Sequence, residues 1–373
     1  MKPPLGFLFS GIHSGIKAKD LDLGLISIED LADCICFFTT NKVKSAPILL
    51  NLKNLKKNNS QLKAIIVNSG NANCFTGKEG LKDAQFINKK LSELLHIESK
   101  FILSASTGII GRRLPLKKIL NNLNRLVSQL KPEFRNFSEA ILTTDTRKKV
   151  SFREVNIGKA SLKILGIAKG SGMIYPTLKK ATMLAFILTD ANIKKVLLET
   201  ASWRAVESSF NSISVDGCMS TNDSVFVVAS GKASHIPILK KDKKFYKFSK
   251  ALGEVMLELA KKIVRDAEGS TKFIEIEVKG AKTKEEAKKA GLGIADSNLF
   301  KASVYGEEPN WGRIVSSLGQ AQIPIKENIT ISSTSLKAKN IKFKIDLKRG
   351  NYSWKVYTSD LTPDYIKINS NYS

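Results

Sequence analysis

The chain has 373 residues, of which 42% are hydrophobic and 25% are charged, proportions typical of a globular protein with one large or two medium domains. Its longest wholly apolar run near the centre, residues 183–188, is much shorter than the roughly 20 residues of a membrane-spanning helix. Pro3 and Pro4 interrupt the N-terminal segment where a signal peptide would need a continuous apolar stretch, so we expect a cytoplasmic protein with no membrane partner.

The formal net charge of +26 is the unusual feature of the composition. A charge of this size could indicate binding to nucleic acid or to an anionic surface. The lysines are dispersed, as in residues 52–59 and 240–244, and few aromatic side chains stand among them. This pattern favours a solvated basic surface, so no nucleic-acid partner is expected.

Cofactor and metal motifs are missing from the sequence. The four cysteines form no CxxC pair and have no partnering histidines, which argues against zinc and against a disulfide framework. There is no Walker loop and no GxGxxG fingerprint, so a nucleotide cofactor is unsupported. We therefore expect no metal and no cofactor. The cysteines are Cys34, Cys36, Cys74 and Cys218.

The N-terminal part of the chain predicts strands that alternate with helices. Residues 5–50 alternate short β-like runs with glycine turns, and residues 64–67 predict a buried strand that leads into the polar loop 68–73. Residues 81–94 predict a helix because apolar side chains recur there at helical spacing. Residues 101–106 predict another strand.

Two polar segments follow this strand. Residues 107–111, Thr-Gly-Ile-Ile-Gly, contain glycine that permits a turn with outward-pointing N–H groups, as an oxyanion hole requires. An ordinary turn is the simpler interpretation of that pattern alone. An amphipathic helix is predicted over residues 116–130, ended by Pro132. Residues 143–146, Thr-Thr-Asp-Thr, form a hydroxyl cluster that a plain turn would also explain.

A predicted hairpin leads into a glycine-rich loop at the centre of the chain. Residues 151–157 and 161–168 predict two strands that turn at Gly158. The loop, residues 169–176, has the sequence Lys-Gly-Ser-Gly-Met-Ile-Tyr-Pro, and its proline ends local regularity. After a short spacer, the apolar residues 183–188 predict a strand.

Thr182 stands at the start of this strand, directly after Ala181. A threonine at such a position is usually structural. In a strained loop its hydroxyl can also attack the carbonyl carbon of Ala181, which shifts the acyl group from nitrogen to oxygen and forms an ester. Water can then hydrolyse that ester and so separate the two parts of the chain. The new terminal amine, with an ordinary pKa of about 7.7–8.0, would then serve as the base for the hydroxyl of the same residue. Such a site needs no histidine, and none of His13, His96 and His235 lies in a catalytic motif.

The second half of the chain predicts two long helices and then mostly strands. The helices are predicted over about residues 191–210 and 252–265. The β runs that follow are interrupted at residues 282–291 and 306–314, and a last hairpin is predicted to turn at residues 349–351.

Several of these segments together resemble the ornithine acetyltransferase family of arginine biosynthesis, whose members often also act as N-acetylglutamate synthases. The resemblance extends from Gly6 to Asn369, although the spacer before Ala181 is longer than in the family. The matching segments are Phe-Thr-Thr-Asn-x-Val-x-x-Ala-Pro at 38–47, Thr-Gly at 107–108, Thr-Thr-Asp-Thr at 143–146, the loop 169–176 with Ala181 and Thr182, Val-Asp-Gly-x-x-Ser-Thr-Asn-Asp at 215–223, and Glu-Gly-x-Thr-Lys at 268–272.

The resemblance implies a fold and a processing event. The expected fold class is α/β, a mixed α/β sandwich with β-sheets packed between helices, as in a self-processing N-terminal-nucleophile enzyme. Cleavage between Ala181 and Thr182 would give an alpha chain, residues 1–181, and a beta chain, residues 182–373. Two copies of each chain would form a tetramer.

The implied activity is acetyl transfer from N2-acetyl-L-ornithine to L-glutamate through an acetyl ester on Thr182. The family's bifunctional branch also uses acetyl-CoA, which makes acetyl-CoA a second candidate donor. Two other classes remain open. A related N-terminal-threonine amidase or aminopeptidase would need no glutamate, and a basic nucleic-acid-binding protein would need no Thr182.

The family's site residues carry over by motif to positions of this sequence. Thr107 and Gly108 match the donors that stabilise the oxyanion. In the substrate site, Lys169 would face a carboxylate and Glu268 an ammonium group. The full set of substrate-binding positions implied by the resemblance is Thr146, Lys169, Thr182, Glu268, Asn369 and Ser373.

Overall fold

The computed structural model describes residues 2–158, 160–175 and 183–370. The predicted site residues Ala181, Thr182 and Ser373 lie outside these ranges. Within the described part of the chain, one hydrogen-bonded sheet has eight strands: β1 (Phe7–Ile12), β2 (Leu23–Phe38), β3 (Gln61–Asn71), β4 (Ile102–Ile109), β5 (Lys149–Ile157), β6 (Ala160–Lys169), β7 (Leu184–Thr189) and β8 (Ser224–Ala229). Their order is β4-β3-β2-β8-β7-β6-β5, and β1 pairs with β2.

Strand β2 changes partners along its length and thereby joins two layers of the sheet. Residues 23–27 pair with β1 and β3, whereas residues 33–38 pair with β8, and the register with β3 shifts between Ser27 and Ala32. Because successive side chains of a strand point to opposite faces, Phe186 and Ile187 of β7 enter different cores. One core lies between the two layers, and an outer core lies beyond each layer.

Helices cover the outer faces of both layers. The helices before the central loop are α1 (Ala46–Lys57), α2 (Gly77–Leu95), α3 (Leu116–Leu120), α4 (Leu123–Ser128) and α5 (Arg135–Ala140), and those after it begin with α6 (Lys195–Ser208) and α7 (Lys243–Arg265). Leu252, Val255 and Leu259 of α7 pack on the layer formed by β5 to β8. Ile87 and Leu91 of α2 pack on the other layer. The predicted mixed α/β sandwich, with sheets between helices, is confirmed.

A second sheet follows α7. Its strands are β9 (Phe273–Ala281), β10 (Thr330–Ser333), β11 (Asn340–Asp346) and β12 (Tyr352–Ser359), in the order β10-β11-β9-β12. Helices α8 (Lys284–Ala295), α9 (Asn298–Tyr305) and α10 (Trp311–Gln320) pack against it, and α11 (Pro363–Ser370) ends the described chain.

The predicted C-terminal hairpin at residues 349–351 is wrong. β11 and β12 both pair with β9, which lies between them. The chain does turn at these residues, but the turn crosses the end of β9: the N–H groups of Arg349 and Gly350 donate to the carbonyl of Gly280 at 2.7 and 2.9 Å.

Two further predictions of secondary structure also need correction. Residues 116–130 form the two short helices α3 and α4, because the side-chain amide of Asn122 donates to the carbonyl of Lys118 at 2.8 Å and competes with the backbone ladder. The strand-like segment predicted through residue 50 instead becomes α1 from Ala46 onward, with Pro47 in the first turn, where proline is compatible with a helix. Among the described residues, none of the helices combines the length and apolar character needed to cross a bilayer.

Candidate active site

Strand ends from both layers surround one cavity of about 140 Å³. The carboxyl ends of β4 and β6 meet the amino end of β7 there, and the segments before β8 and after α7 complete the wall. Of the positions predicted from the sequence, the described ones that line it are Thr107, Gly108, Lys169, Glu268 and Asn369. Met183, the residue that follows Thr182 in the sequence, lines the same cavity.

Gly108 occupies a position that only glycine fits. Its φ of +129° lies in the region that L-residues rarely adopt. A Cβ added there would come closer than 3.0 Å to backbone atoms of Gly70 and Asn71 on the neighbouring strand β3. The close approach of β3 and β4 therefore fixes the backbone at the end of β4.

An asparagine that sequence reasoning left without a role supports this strand end. The side-chain amide of Asn222 donates to the carbonyls of Ser106, at 2.8 Å, and Ala72, at 2.6 Å. Asn222 belongs to the segment 215–223 and is itself buried beside the cavity. The motif 215–223 pointed to this residue in the sequence. Its structural role was not predictable, because the residues that it contacts lie more than a hundred positions away along the chain.

Lys169 ends β6 with its ammonium group directed at hydroxyl groups of the cavity wall. The group donates to Thr143 Oγ1 at 2.6 Å and to Thr107 Oγ1 at 3.1 Å. Burial lowers the pKa of this lysine, and the charge of Asp145, 3.8 Å away, opposes that effect. The lysine amine thus lies at the cavity wall beside an acidic group that favours its charged form.

Asp145 is the carboxylate behind Lys169. Its side chain is fully buried and pairs with Lys149 at 2.6 Å. It also accepts the N–H of Gly170 at 2.6 Å and that of Thr143 at 3.2 Å. Burial alone would raise the pKa of Asp145, but Lys169 and Lys149 hold it down to about 2.

Only part of the Thr-Thr-Asp-Thr segment lines the cavity. Thr143 contacts Lys169, and Thr144 Oγ1 lies 2.8 Å from Ser171 Oγ; both threonines line the cavity. Thr146, the position expected to bind substrate, is not among the lining residues. Its hydroxyl and its N–H donate to Asp266 instead, the N–H at 3.0 Å.

Glu268 and Asn369 also line the cavity. The backbone N–H of Glu268 donates to the carbonyl of Ser171 at 3.0 Å, and its carboxylate lies so close to Gly172 that a Cβ there would come within 3.0 Å of it. The Asn369 amide, on α11, donates to Glu268 Oε2 at 2.9 Å. The cavity therefore holds a fixed carboxylate as well as the lysine amine.

Two acidic residues anchor the loop that leads to the predicted cleavage site. Asp216 accepts the N–H groups of Met173, at 2.6 Å, and Ile174, at 2.9 Å. Tyr175 hydrogen-bonds with Asp296, and burial raises the pKa of that carboxyl to about 6. Asp216 stood in a quoted motif without a role, and Asp296 had no sequence signal at all.

Comparison with known proteins identifies relatives along the whole chain. The ArgJ family matches residues 8–373. The arginine biosynthesis bifunctional protein ArgJ of Caldanaerobacter subterraneus subsp. tengcongensis is 40% identical, covering 99% of this chain and 97% of its own. The glutamate N-acetyltransferase of Methanococcus vannielii is also 40% identical, with 99% and 96% covered.

Solved structures of related proteins match over shorter stretches. Arginine biosynthesis bifunctional protein ArgJ from Bacillus halodurans is 40% identical, with 47% of this chain and 91% of that chain covered and a TM-score of 0.44. Ornithine acetyltransferase from Mycobacterium tuberculosis, complexed with ornithine, is 31% identical, with 47% and 93% covered and a TM-score of 0.41. The resemblance inferred from the motifs is confirmed by the match along the sequence: the chain belongs to the ArgJ family.

Proposed function

We propose that this chain is a glutamate N-acetyltransferase of arginine biosynthesis, which cleaves itself between Ala181 and Thr182 and then moves the acetyl group of N2-acetyl-L-ornithine to L-glutamate. The observation that carries the proposal is the cavity in which Thr107, Gly108, Lys169, Glu268 and Asn369 meet beside Met183. The relatives named glutamate N-acetyltransferase and bifunctional ArgJ support it.

In the first step the α-amine of Thr182 accepts the hydroxyl proton while Oγ attacks the acetyl carbonyl of acetylornithine. Donors at Thr107 and Gly108 stabilise the oxyanion, a contribution typically worth about 2.7–4 kcal/mol per donor. The tetrahedral intermediate then expels the α-amine of ornithine, which takes the proton, and leaves an acetyl ester on Thr182. In the second step the amine of glutamate attacks that ester and releases N-acetylglutamate.

Charge complementarity supports this choice of substrate. Acetylornithine has a carboxylate at one end and an ammonium group at the other. Lys169 and Glu268 both line the cavity, so each substrate charge has a counter-charge there. The hydroxyl of Thr146 donates to Asp266, so in this proposal Thr146 has a supporting role and does not contact the substrate. Ser373 remains an additional substrate contact within the proposal.

The sheet supports continued association of the two fragments after cleavage. β6 precedes the cut and β7 follows it, yet the two strands are hydrogen-bonded neighbours, with Lys169 opposite Leu184. Fragments 1–181 and 182–373 would therefore share a core. The proposal includes their assembly as two copies of each in the cytoplasm, and acetyl-CoA as a second donor, as the word bifunctional in the relatives' name suggests.

We expect ornithine release from acetylornithine to depend on glutamate. The test follows ornithine and N-acetylglutamate by chromatography with and without glutamate, and equal amounts of the two products are expected. Release of ornithine and acetate at the same rate without glutamate would instead establish an amidase. Salt-dependent binding of DNA or RNA with no turnover would favour the nucleic-acid alternative.

Glu268→Gln should raise the KM for acetylornithine about tenfold, which corresponds to roughly 1.4 kcal/mol. The amide keeps the shape that fits against Gly172 but lacks the charge that pairs with the distal ammonium of the substrate. The matched control is Glu327→Gln, because Glu327 is an exposed glutamate that does not line the cavity. A KM that is the same in both variants would remove Glu268 from the substrate site.

A further inference from the structure

A row of four buried charges of alternating sign runs inward from the cavity. Lys169 at the cavity wall lies 3.8 Å from Asp145, Asp145 lies 2.6 Å from Lys149, and Lys149 lies 2.6 Å from Asp266. The side chains are between 0% and 10% exposed. Only the first member of the row lines the cavity, so the other three cannot all be explained as substrate contacts.

Asp145 connects this row to the backbone of the site. It accepts the N–H of Thr143, whose hydroxyl accepts a hydrogen bond from Lys169, and the N–H of Gly170, the second residue of the central loop. A single carboxylate thus holds the lysine, the hydroxyl that the lysine contacts, and the first turn of the loop. Lys149 in turn is held by Asp266, to which the hydroxyl of Thr146 donates.

Lys169 faces several charges, and their effects differ in sign. Burial is the largest influence and favours the neutral amine. Asp145 and Glu268 favour the charged form, whereas Lys149 and Lys17 disfavour it. Asp223 also lines the cavity. Of the acidic groups, Asp145 has the largest influence on Lys169.

We propose that Asp145 is the positioning residue of this site, which keeps Lys169 protonated and directed into the cavity so that it can bind the carboxylate of an amino-acid substrate. Asp145 does not touch the substrate and acts through Lys169. The inference rests on the proposed function only in naming that carboxylate as the partner of Lys169.

A purely structural ion pair and a positioning residue predict different responses to pH. If Lys169 must be charged to bind substrate, kcat/KM for acetylornithine falls as the pH rises through the pKa of Lys169. Asp145→Asn removes the attraction but leaves the repulsion from Lys149, so the pKa of Lys169 drops and the alkaline limb moves to lower pH by about one to three units. Lys149→Gln removes the repulsion and should move the limb to higher pH.

Because the alkaline limb of kcat/KM is expected to move in opposite directions in these two variants, each is a control for the other. Both remove one charge from the same buried row, so a structural role predicts lower thermal stability in both and an alkaline limb that does not move. If Asp145→Asn does not fold, Lys149→Gln still decides the matter, because a limb that stays in place or moves to lower pH overturns the inference.

A second measurement does not depend on turnover. Competitive labelling with acetic anhydride as a function of pH, followed by peptide mass spectrometry, reports the pKa of the Lys169 amine directly. The expected order is Asp145→Asn lowest, wild type between, and Lys149→Gln highest. The same value in all three proteins overturns the inference even if the wild type transfers acetyl groups, and the expected order supports it even if glutamate is not the acceptor.

Discussion

Thr182→Ala should yield a chain that remains whole and transfers acetyl groups at least about 10³-fold more slowly than the wild type. The substitution removes the hydroxyl that would attack Ala181 and, later, the acetyl donor, so one change abolishes both maturation and covalent catalysis. Intact-mass analysis should show one full-length species for the variant and two fragments, residues 1–181 and 182–373, for the wild type. Ornithine release in the presence of glutamate measures the loss of turnover.

Two matched variants test whether the loss in Thr182→Ala comes from the missing hydroxyl or from a change in the surrounding segment. Thr182→Ser keeps a hydroxyl and should still cleave and turn over, although more slowly. Thr177→Ala removes a threonine from the same segment and should behave as the wild type does. A wild-type chain that stays whole while it exchanges acetyl groups, or an alanine variant that retains turnover, would contradict the proposed mechanism.

The central strands illustrate what a sequence can and cannot predict about this fold. Residues 183–188 form an uninterrupted apolar run, as expected for the buried strand β7, and such a run predicts a strand without any other information. Which core receives Phe186 and which receives Ile187 depends on how β2 joins the two layers, and no local pattern encodes that arrangement. The C-terminal hairpin was mispredicted for a related reason: β9 inserts between β11 and β12, and adjacency in sequence favours the wrong partner.

The candidate site shows the same limit at the level of side chains. The resemblance to the family marked Gly108, Lys169 and Glu268, whereas the residues alone were also compatible with an ordinary turn at Gly108 and an exposed glutamate at position 268. That Thr143 and Thr144 line the cavity while Thr146 does not was not predictable, since Thr146 is bound by Asp266, which lies 120 positions away. Sequence reasoning therefore found the segment but not the buried row of charges behind it.

Gly108→Ala should lower kcat by about 10²–10³-fold, the usual cost of removing one oxyanion donor. The reason is steric. The new Cβ would come closer than 3.0 Å to the Gly70 carbonyl carbon and the Asn71 nitrogen, and backbone atoms of a paired strand cannot move aside as a flexible side chain can. The end of β4 must shift, so any donor placed there loses its alignment with the developing oxyanion.

Gly111→Ala is the matched control, because it introduces similar backbone strain without displacing the end of β4. Gly111 also has a positive φ, +84°, but nothing lies within 4 Å of a Cβ added there. Alanine at either position adopts an unfavourable conformation, which costs on the order of 1 kcal/mol of stability, yet only the one at 108 meets the neighbouring strand. Thermal unfolding should therefore shift in both variants, whereas kcat, measured well below both transitions, should fall only for Gly108→Ala. Equal kcat values in the two variants would show that the end of β4 does not stabilise the oxyanion, because the strand would then have been displaced without consequence for the chemistry.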